Sequence, residues 1–265
     1  MPTGSATVQV MIDAARKTAR GLIRDFGEVA ELQVSKKGAA DYVSAADLKA
    51  EQTLYELLSK ARPGYGFLAE ERGLVEGTDR THTFIVDPLD GTTNFLHSIP
   101  QFAINIALER DGQVVAAVTY NPVMNELFWA EKGKGAFLND RRLRVAARTK
   151  LVEAVLATGI PFAGRAGHAQ FLKELHQITQ RVSGVRRFGS AALDLAWTAA
   201  GRFDGYWERN LSAWDIAAGG LLITEAGGRI TSADGAGFDP REGTVLASNL
   251  ELHPLILELL KAAQG

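Results

Sequence analysis

Cysteine is absent from all 265 residues, which removes disulfides, thiolate zinc sites and a cysteine nucleophile from consideration. No run approaches the ~18 continuous apolar residues that a membrane helix needs. The first residues, Met1-Pro2-Thr3-Gly4-Ser5, lack the charged-then-apolar profile of a secretion signal. These absences predict a soluble, cytoplasmic protein with no membrane partner. Charge of one sign is lacking too. With 29 basic and 31 acidic side chains the net charge is -2, which argues against a nucleic-acid polyanion as partner.

Several catalytic signatures are also missing. There is no Gly-x-x-x-x-Gly-Lys-Ser/Thr, so a P-loop is excluded, and Gly133-Lys134-Gly135 lacks the third glycine of a dinucleotide fingerprint. The five histidines, His82, His97, His168, His176 and His253, show no zinc-type clustering. None lies at a useful spacing from Ser190, which removes a serine nucleophile.

What is present is a chain, 46% hydrophobic, long enough for a sizeable core. Apolar spacing predicts a helix over about Ala6 to Phe26, with Val8, Met11, Ile12, Ala15, Ala19, Leu22, Ile23 and Phe26 on one face. A second helix is predicted over Ala45 to Ala61, with Leu48, Leu54, Leu57 and Leu58 inward and Pro63 beyond its end. Short strands follow at Phe67–Ala69 and Thr83–Val86. Ala103–Glu109, Val114–Asn121, Glu126–Ala130, Ala136–Leu138 and Arg142–Val145 then read as an antiparallel meander, with Asp111-Gly112 as a hairpin dipeptide. After about Ala147 strands and helices alternate: Val155–Thr158, His168–Val182, Val185–Phe188, Ala191–Ala200, Phe203–Glu208, Trp214–Ala226, Arg229–Thr231, Val245–Ala247 and His253–Ala263. The fold class is thus α+β in residues 1–146 and α/β in 147–265, two halves that share an interface.

The run Asp87-Pro88-Leu89-Asp90-Gly91-Thr92-Thr93-Asn94-Phe95 holds the most chemistry. A strand ends in an aspartate, a proline sets the bend, and a second aspartate follows. Both carboxylates and the Leu89 carbonyl can then aim at one point, as a hard divalent cation requires. The Gly91-Thr92-Thr93 amides open a helix and suit a phosphate. An ordinary strand–turn–helix capped by Asp90 also fits this spacing. Glu70-Glu71 ends a strand, where one acid faces inward and the other outward; Glu70 is the inward candidate, although a solvated edge fits too. Asp47 and Asp215 each close a Ser-x-x-Asp run, the pattern of a capping box. Gathered at one point, these carboxyl groups would repel one another unless cations held them. Cations held in this way suit phosphoryl transfer to water.

The motif resembles the first signature of the inositol monophosphatase family, and Trp214-Asp215-Ile216-Ala217-Ala218-Gly219 through Gly228 resembles its second. Asp41-x-Val43-x-x-x-Asp47, Phe67–Glu71 (with Ala69 where the family commonly has glycine) and Gly189-Ser190-Ala191-Ala192 also match in order, from about residue 8 to 262. The resemblance implies a layered αβαβα sandwich of the inositol monophosphatase and fructose-1,6-bisphosphatase type, assembled as a homodimer. It implies two or three Mg²⁺ ions: one on Glu70, Asp87 and the Leu89 carbonyl, a second on Asp87, Asp90 and Asp215, and a weaker third near Glu70. Asp47 and Thr92 would activate water, assisted by Glu70. The Gly91 and Thr92 amides would hold the phosphate, and Asp90, Gly189, Ser190, Ala191 and Glu208 would contact the hydroxyls of a small phosphorylated polyol. Inhibition by Li⁺ is a frequent family property. The expected activity is hydrolysis of myo-inositol monophosphates. The alternatives are fructose-1,6-bisphosphatase, adenosine 3′,5′-bisphosphate nucleotidase, histidinol-phosphatase, or a non-catalytic regulatory binding protein.

Overall fold

Helix α1 (Ala6–Gly27) starts at Ser5, whose hydroxyl accepts from the Val8 amide at 3.4 Å. Val8, Met11, Ile12, Ala15, Ala19 and Leu22 form its buried stripe, as their spacing predicts, while Ile23 is 41% exposed. The structure is a computed structural model; it describes residues 4–28, 34–37 and 41–264, with 34–37 and 41–44 in backbone only. The Asp41 and Val43 side chains of the early motif, and any cap from Ser44, lie outside the described side chains. Helix α2 (Ala45–Ala61) has the predicted bounds but not the predicted face. Leu48 is 51% exposed, Leu57 only half-buried. The inward stripe is Ala46, Asp47, Ala50, Glu51, Leu54 and Leu58. Turning the Asp47 and Glu51 carboxyls inward rotates Leu48, 100° further round the helix, outward.

A hairpin of β1 (Val34–Lys37) and β2 (Asp41–Ser44), not predicted from the sequence, precedes α2. The first large sheet runs β10-β9-β8-β7-β6-β5-β3-β4. Its strands are β3 (Tyr65–Ala69), β4 (Gly73–Val75), β5 (Asp79–Asp90), β6 (Ala103–Arg110), β7 (Gln113–Asn121), β8 (Glu126–Glu131), β9 (Gly135–Leu138) and β10 (Arg141–Arg142). Only β3 and β5 pair in parallel; β6 to β9 form the predicted meander, whereas β4 was not predicted and the last strand is Arg141–Arg142 rather than Arg142–Val145. Asp111 and Gly112 both have positive φ, the hairpin geometry that favours this dipeptide. Strand β5 outruns the predicted Thr83–Val86 and carries Asp87 and Asp90 on the strand itself, where the register shifts between them. Pro88 donates no hydrogen bond and is accommodated at that irregularity.

The second sheet has the order β12 (Gly184–Arg186), β11 (Val155–Thr158), β13 (Gly205–Arg209), β15 (Thr244–Ser248), β14 (Arg229–Thr231). It is mixed: β11 is parallel to β12 and β13, whereas β15 is antiparallel to β13 and β14. Alternation along the strands divides the core. Phe84 and Val86 on β5 face a cluster with Leu22, Leu54 and Phe102 beneath α1 and α2. Ile85 faces the opposite way, into a cluster with Tyr206, α5 (Ala191–Ala199) and α6 (Ala213–Glu225). A third cluster joins Trp207 and Leu246 to Ile178 of α4 (His168–Thr179) and Ile256 of α7 (Leu252–Ala262). The result is a layered α+β sandwich, helices–sheet–helices–sheet–helices. No helix among the described residues is long and apolar enough to cross a membrane.

Candidate active site

Where β5 ends, the chain turns through Gly91 into the short helix α3 (Thr92–Leu96). Gly91 has φ 97°, and a methyl group there would lie 2.8 Å from the Gln101 carbonyl oxygen, so glycine is required on both counts. Asn94 donates to the carbonyls of Gln101 and Phe188, each at 2.7 Å, and so ties the turn to the loop before α5. Ser190 heads α5, and its hydroxyl donates to Asp90 Oδ2 at 2.6 Å, as does the Ala192 amide at 2.7 Å. Asp215 forms the predicted capping box at the start of α6, accepting from the Ser212 amide at 2.7 Å.

These elements surround a cleft of about 340 Å³ lined by Glu70, Asp87, Leu89, Asp90, Gly91, Thr92, Gly189, Ser190, Ala191, Glu208 and Asp215. Asp47 reaches the same cleft from α2 through Thr92, whose hydroxyl lies 3.3 Å from Asp47 Oδ2 and 3.0 Å from the Leu89 carbonyl oxygen. The residues given a catalytic or binding role from the sequence thus line this cleft, except Asp47, which adjoins it through Thr92. Missed from the sequence were Asn94 as an individual anchor, Asn105, Gly159, Arg187 and Asp194. Asn105 did leave a signal, being a polar residue between Ile104 and Ile106 on a buried strand.

Oxygens of Asp87, Asp90 and Asp215 lie within 4.8 Å of one another. Burial pushes the Asp87 carboxyl far up, helped by the charges of Asp90, Glu70, Asp215 and Asp47. Asp215 is raised by burial, then by Asp90. Burial also raises Asp90, to about 6, against the hydrogen bonds from Ser190 and Ala192 that hold it down. Asp47 rises through burial and the charges of Glu70 and Glu71. On the far side of the cleft burial lifts Glu208 to about 7, and the Tyr206 hydroxyl bonds its Oε2. The charges acting most strongly on Asp87 among the described residues are all carboxyl groups. An all-oxygen donor set of mutually repelling carboxyl groups fits a hard divalent cation.

A layered α+β sandwich whose cleft gathers cation-competent carboxyl groups beside a helix start at Gly91–Thr92 defines an enzyme of the metal-dependent phosphatase class. The sequence profile of the inositol monophosphatase family matches residues 5–264, and the chain belongs to that family. It is 71% identical to a Caulobacter vibrioides protein named inositol-1-monophosphatase, over 96% of this chain and 100% of that one. It is 39% identical to Pseudomonas aeruginosa Nus factor SuhB, over 96% and 95% of the two chains. The crystal structure of extragenic suppressor protein suhB from Bartonella henselae superposes with a TM-score of 0.94 at 55% identity, covering 97% of this chain and 99% of that one.

Proposed function

We infer that the chain is a phosphomonoesterase that hydrolyses inositol monophosphates to inositol and phosphate. The convergence of Asp87, Asp90 and Asp215 beside the Gly91–Thr92 amides carries the reading, and the 71% identical inositol-1-monophosphatase supports it. Asp87, Asp90 and Asp215 would hold one cation, and Glu70, Asp87 and the Leu89 carbonyl another, with a third near Glu70. Mg²⁺ suits these ligands, and when bound it offsets the charge of the phosphoryl group and of the leaving oxygen. The halves 1–146 and 147–265 meet at this site. The resemblance extends the reading to a cytoplasmic, Li⁺-inhibited homodimer.

The side chains divide the remaining work. The Thr92 hydroxyl has one hydrogen and two acceptors within reach. Pointed at Asp47, it turns its lone pairs to the cleft, accepts a hydrogen bond from the attacking water and orients it. Asp47, whose carboxyl burial makes more basic than usual, takes up the proton. The Gly91 and Thr92 amides hold the phosphate, while Ser190 fixes Asp90. Glu208 accepts from the hydroxyls of the leaving polyol, oriented by Tyr206.

Phosphate release from myo-inositol 1-phosphate, fructose 1,6-bisphosphate, adenosine 3′,5′-bisphosphate and histidinol phosphate, with Mg²⁺, tests the reading. The expected result is the highest kcat/KM on the inositol ester; a higher value on any other member reassigns the substrate. The 39% identical Nus factor supports a second, regulatory reading. A catalytically inert Asp90→Asn variant that restores the phenotype of a deletion strain would establish it.

A further inference from the structure

Three arginines line the cleft: Arg165, Arg187 and Arg209. Two are committed. Arg209 bonds Glu174 through Nε at 2.7 Å and Asp234 through both Nη atoms at 3.0 and 2.8 Å. Arg165 donates to the Asn210 carbonyl at 2.8 Å and lies over the Phe162 ring. Arg187 makes no hydrogen bond or ion pair with any of the described residues.

Its position is nevertheless set. The loop that carries it is pinned by Asn94 through the Phe188 carbonyl, and Phe188 packs on Trp197 and Phe203. A methyl group on Gly189 would lie 2.6 Å from Arg187 Nη1, so the guanidinium folds against the loop that faces the leaving group. There its charge acts on two carboxyl groups, Glu208 and Asp194. Asp194 is 1% exposed, with neither oxygen hydrogen-bonded among the described residues.

A polyol hydroxyl donates one hydrogen and accepts others, so reading a pair of them takes both an acceptor and a donor. Glu208 is the acceptor. The other side-chain donors on that wall are spent, Ser190 on Asp90 and Tyr206 on Glu208. Among the described arginines of the cleft, Arg187 alone has its whole guanidinium uncommitted, a fork whose parallel bonds match two adjacent oxygens. A second phosphate is disfavoured at this place above about pH 7, where Glu208 is charged and repels another anion.

We propose that Arg187 is a specificity-determining residue, whose guanidinium donates to a vicinal pair of hydroxyls on the leaving alcohol and so selects a neutral polyol over a second anionic group. The proposal rests on the phosphomonoesterase reading above and deepens it.

The Mg²⁺-loaded enzyme and its Arg187→Ala and Arg187→Lys variants are assayed on myo-inositol 1-phosphate and on cyclohexyl phosphate, the same ring without hydroxyls. The expected result is a fall in the inositol-to-cyclohexyl ratio of kcat/KM of between about tenfold and a hundredfold in Arg187→Ala. Lysine should restore little of it, as it lacks the fork. An equal loss on both esters, no loss on either, or full rescue by lysine overturns the proposal. So does a KM for fructose 1,6-bisphosphate that rises in Arg187→Ala more than that for inositol 1-phosphate, which would make the site an anion receptor. If the unaltered enzyme does not prefer the inositol ester, the substrate reading fails instead. The ratio for glycerol 3-phosphate over propyl phosphate then decides the role of Arg187 on the same terms.

Discussion

Asn105 donates from Nδ2 to the carbonyl oxygens of Trp214, at 2.7 Å, and Asp215, at 3.2 Å. It pairs across the sheet with Asp87, so one amide links the strand that carries one acid to the helix that carries another. Thr119 donates to its Oδ1 at 2.6 Å, which fixes the amide's orientation. Asn105→Ala leaves two partly buried carbonyls short of a donor and the first turn of α6 free to shift. The expected outcome is a loss of about 1–3 kcal/mol in urea unfolding, with weaker Mg²⁺ binding in a titration. Unchanged Mg²⁺ affinity would mean that Asp215 is held by its capping box alone.

Glu208 depends on a residue that has no side chain. A methyl group on Gly159 would lie 1.8 Å from Glu208 Oε1 and 2.0 Å from its carboxyl carbon. Gly159→Ala must therefore push the carboxyl out of its seat beside Tyr206. KM for myo-inositol 1-phosphate is expected to rise by about tenfold or more, the loss of a charged hydrogen-bond partner. A KM within twofold of the unaltered enzyme would remove Glu208 from polyol binding.

Local chemistry was readable in the sequence, and relations across the fold were not. The Asp87–Phe95 run is informative because strand, bend, acid and amide turn follow one another along the chain, and the structure keeps them together. Helix limits were readable for the same reason, since periodicity and Pro63 act over a few residues. The face of α2 was not, because Asp47 and Glu51 turn inward toward partners 20 to 45 residues away. Gly159 gave no sign of its contact with Glu208, which requires β11 and β13 to be neighbours. Strand direction in the second sheet was likewise hidden: the apolar pattern of Val245–Ala247 suits either direction, and the structure runs β15 antiparallel to β13.

The acidic cluster makes stability depend on pH and cations together. Folding raises Asp87 and Asp215 well above the usual range, Asp90 to about 6 and Glu208 to about 7. Without cations, the folded chain binds more protons than the unfolded one from about pH 4 up to those values. These groups therefore lose stability as pH rises through that window. His253 acts in the opposite sense: burial lowers it to about 4, so its contribution is lost as pH falls below about 6.5. Mg²⁺ takes the place of the cluster's protons but leaves His253 unaffected. The difference in Tm between Mg²⁺ and chelator should therefore be greater at about pH 7.5 than at about pH 5.5, by several degrees. A difference that does not change with pH would show that the cation binds away from these carboxyl groups.

Asp47 separates proton transfer from metal binding. The Thr92 hydroxyl donates to Asp47 at 3.3 Å, and burial already disfavours the Asp47 charge. Asp47→Asn removes a proton acceptor while keeping shape and relieving repulsion, so folding stability should hold or rise. If Asp47 receives the proton of the attacking water, kcat falls by about 10²–10⁴, and calorimetric Mg²⁺ affinity stays within about threefold. Thr92→Val should cost a similar factor, and the double variant little more than either single one, because the two residues act as a unit. Additive losses would separate the two roles. Loss of Mg²⁺ binding in Asp47→Asn would make Asp47 a metal ligand and leave Thr92 to orient the water alone.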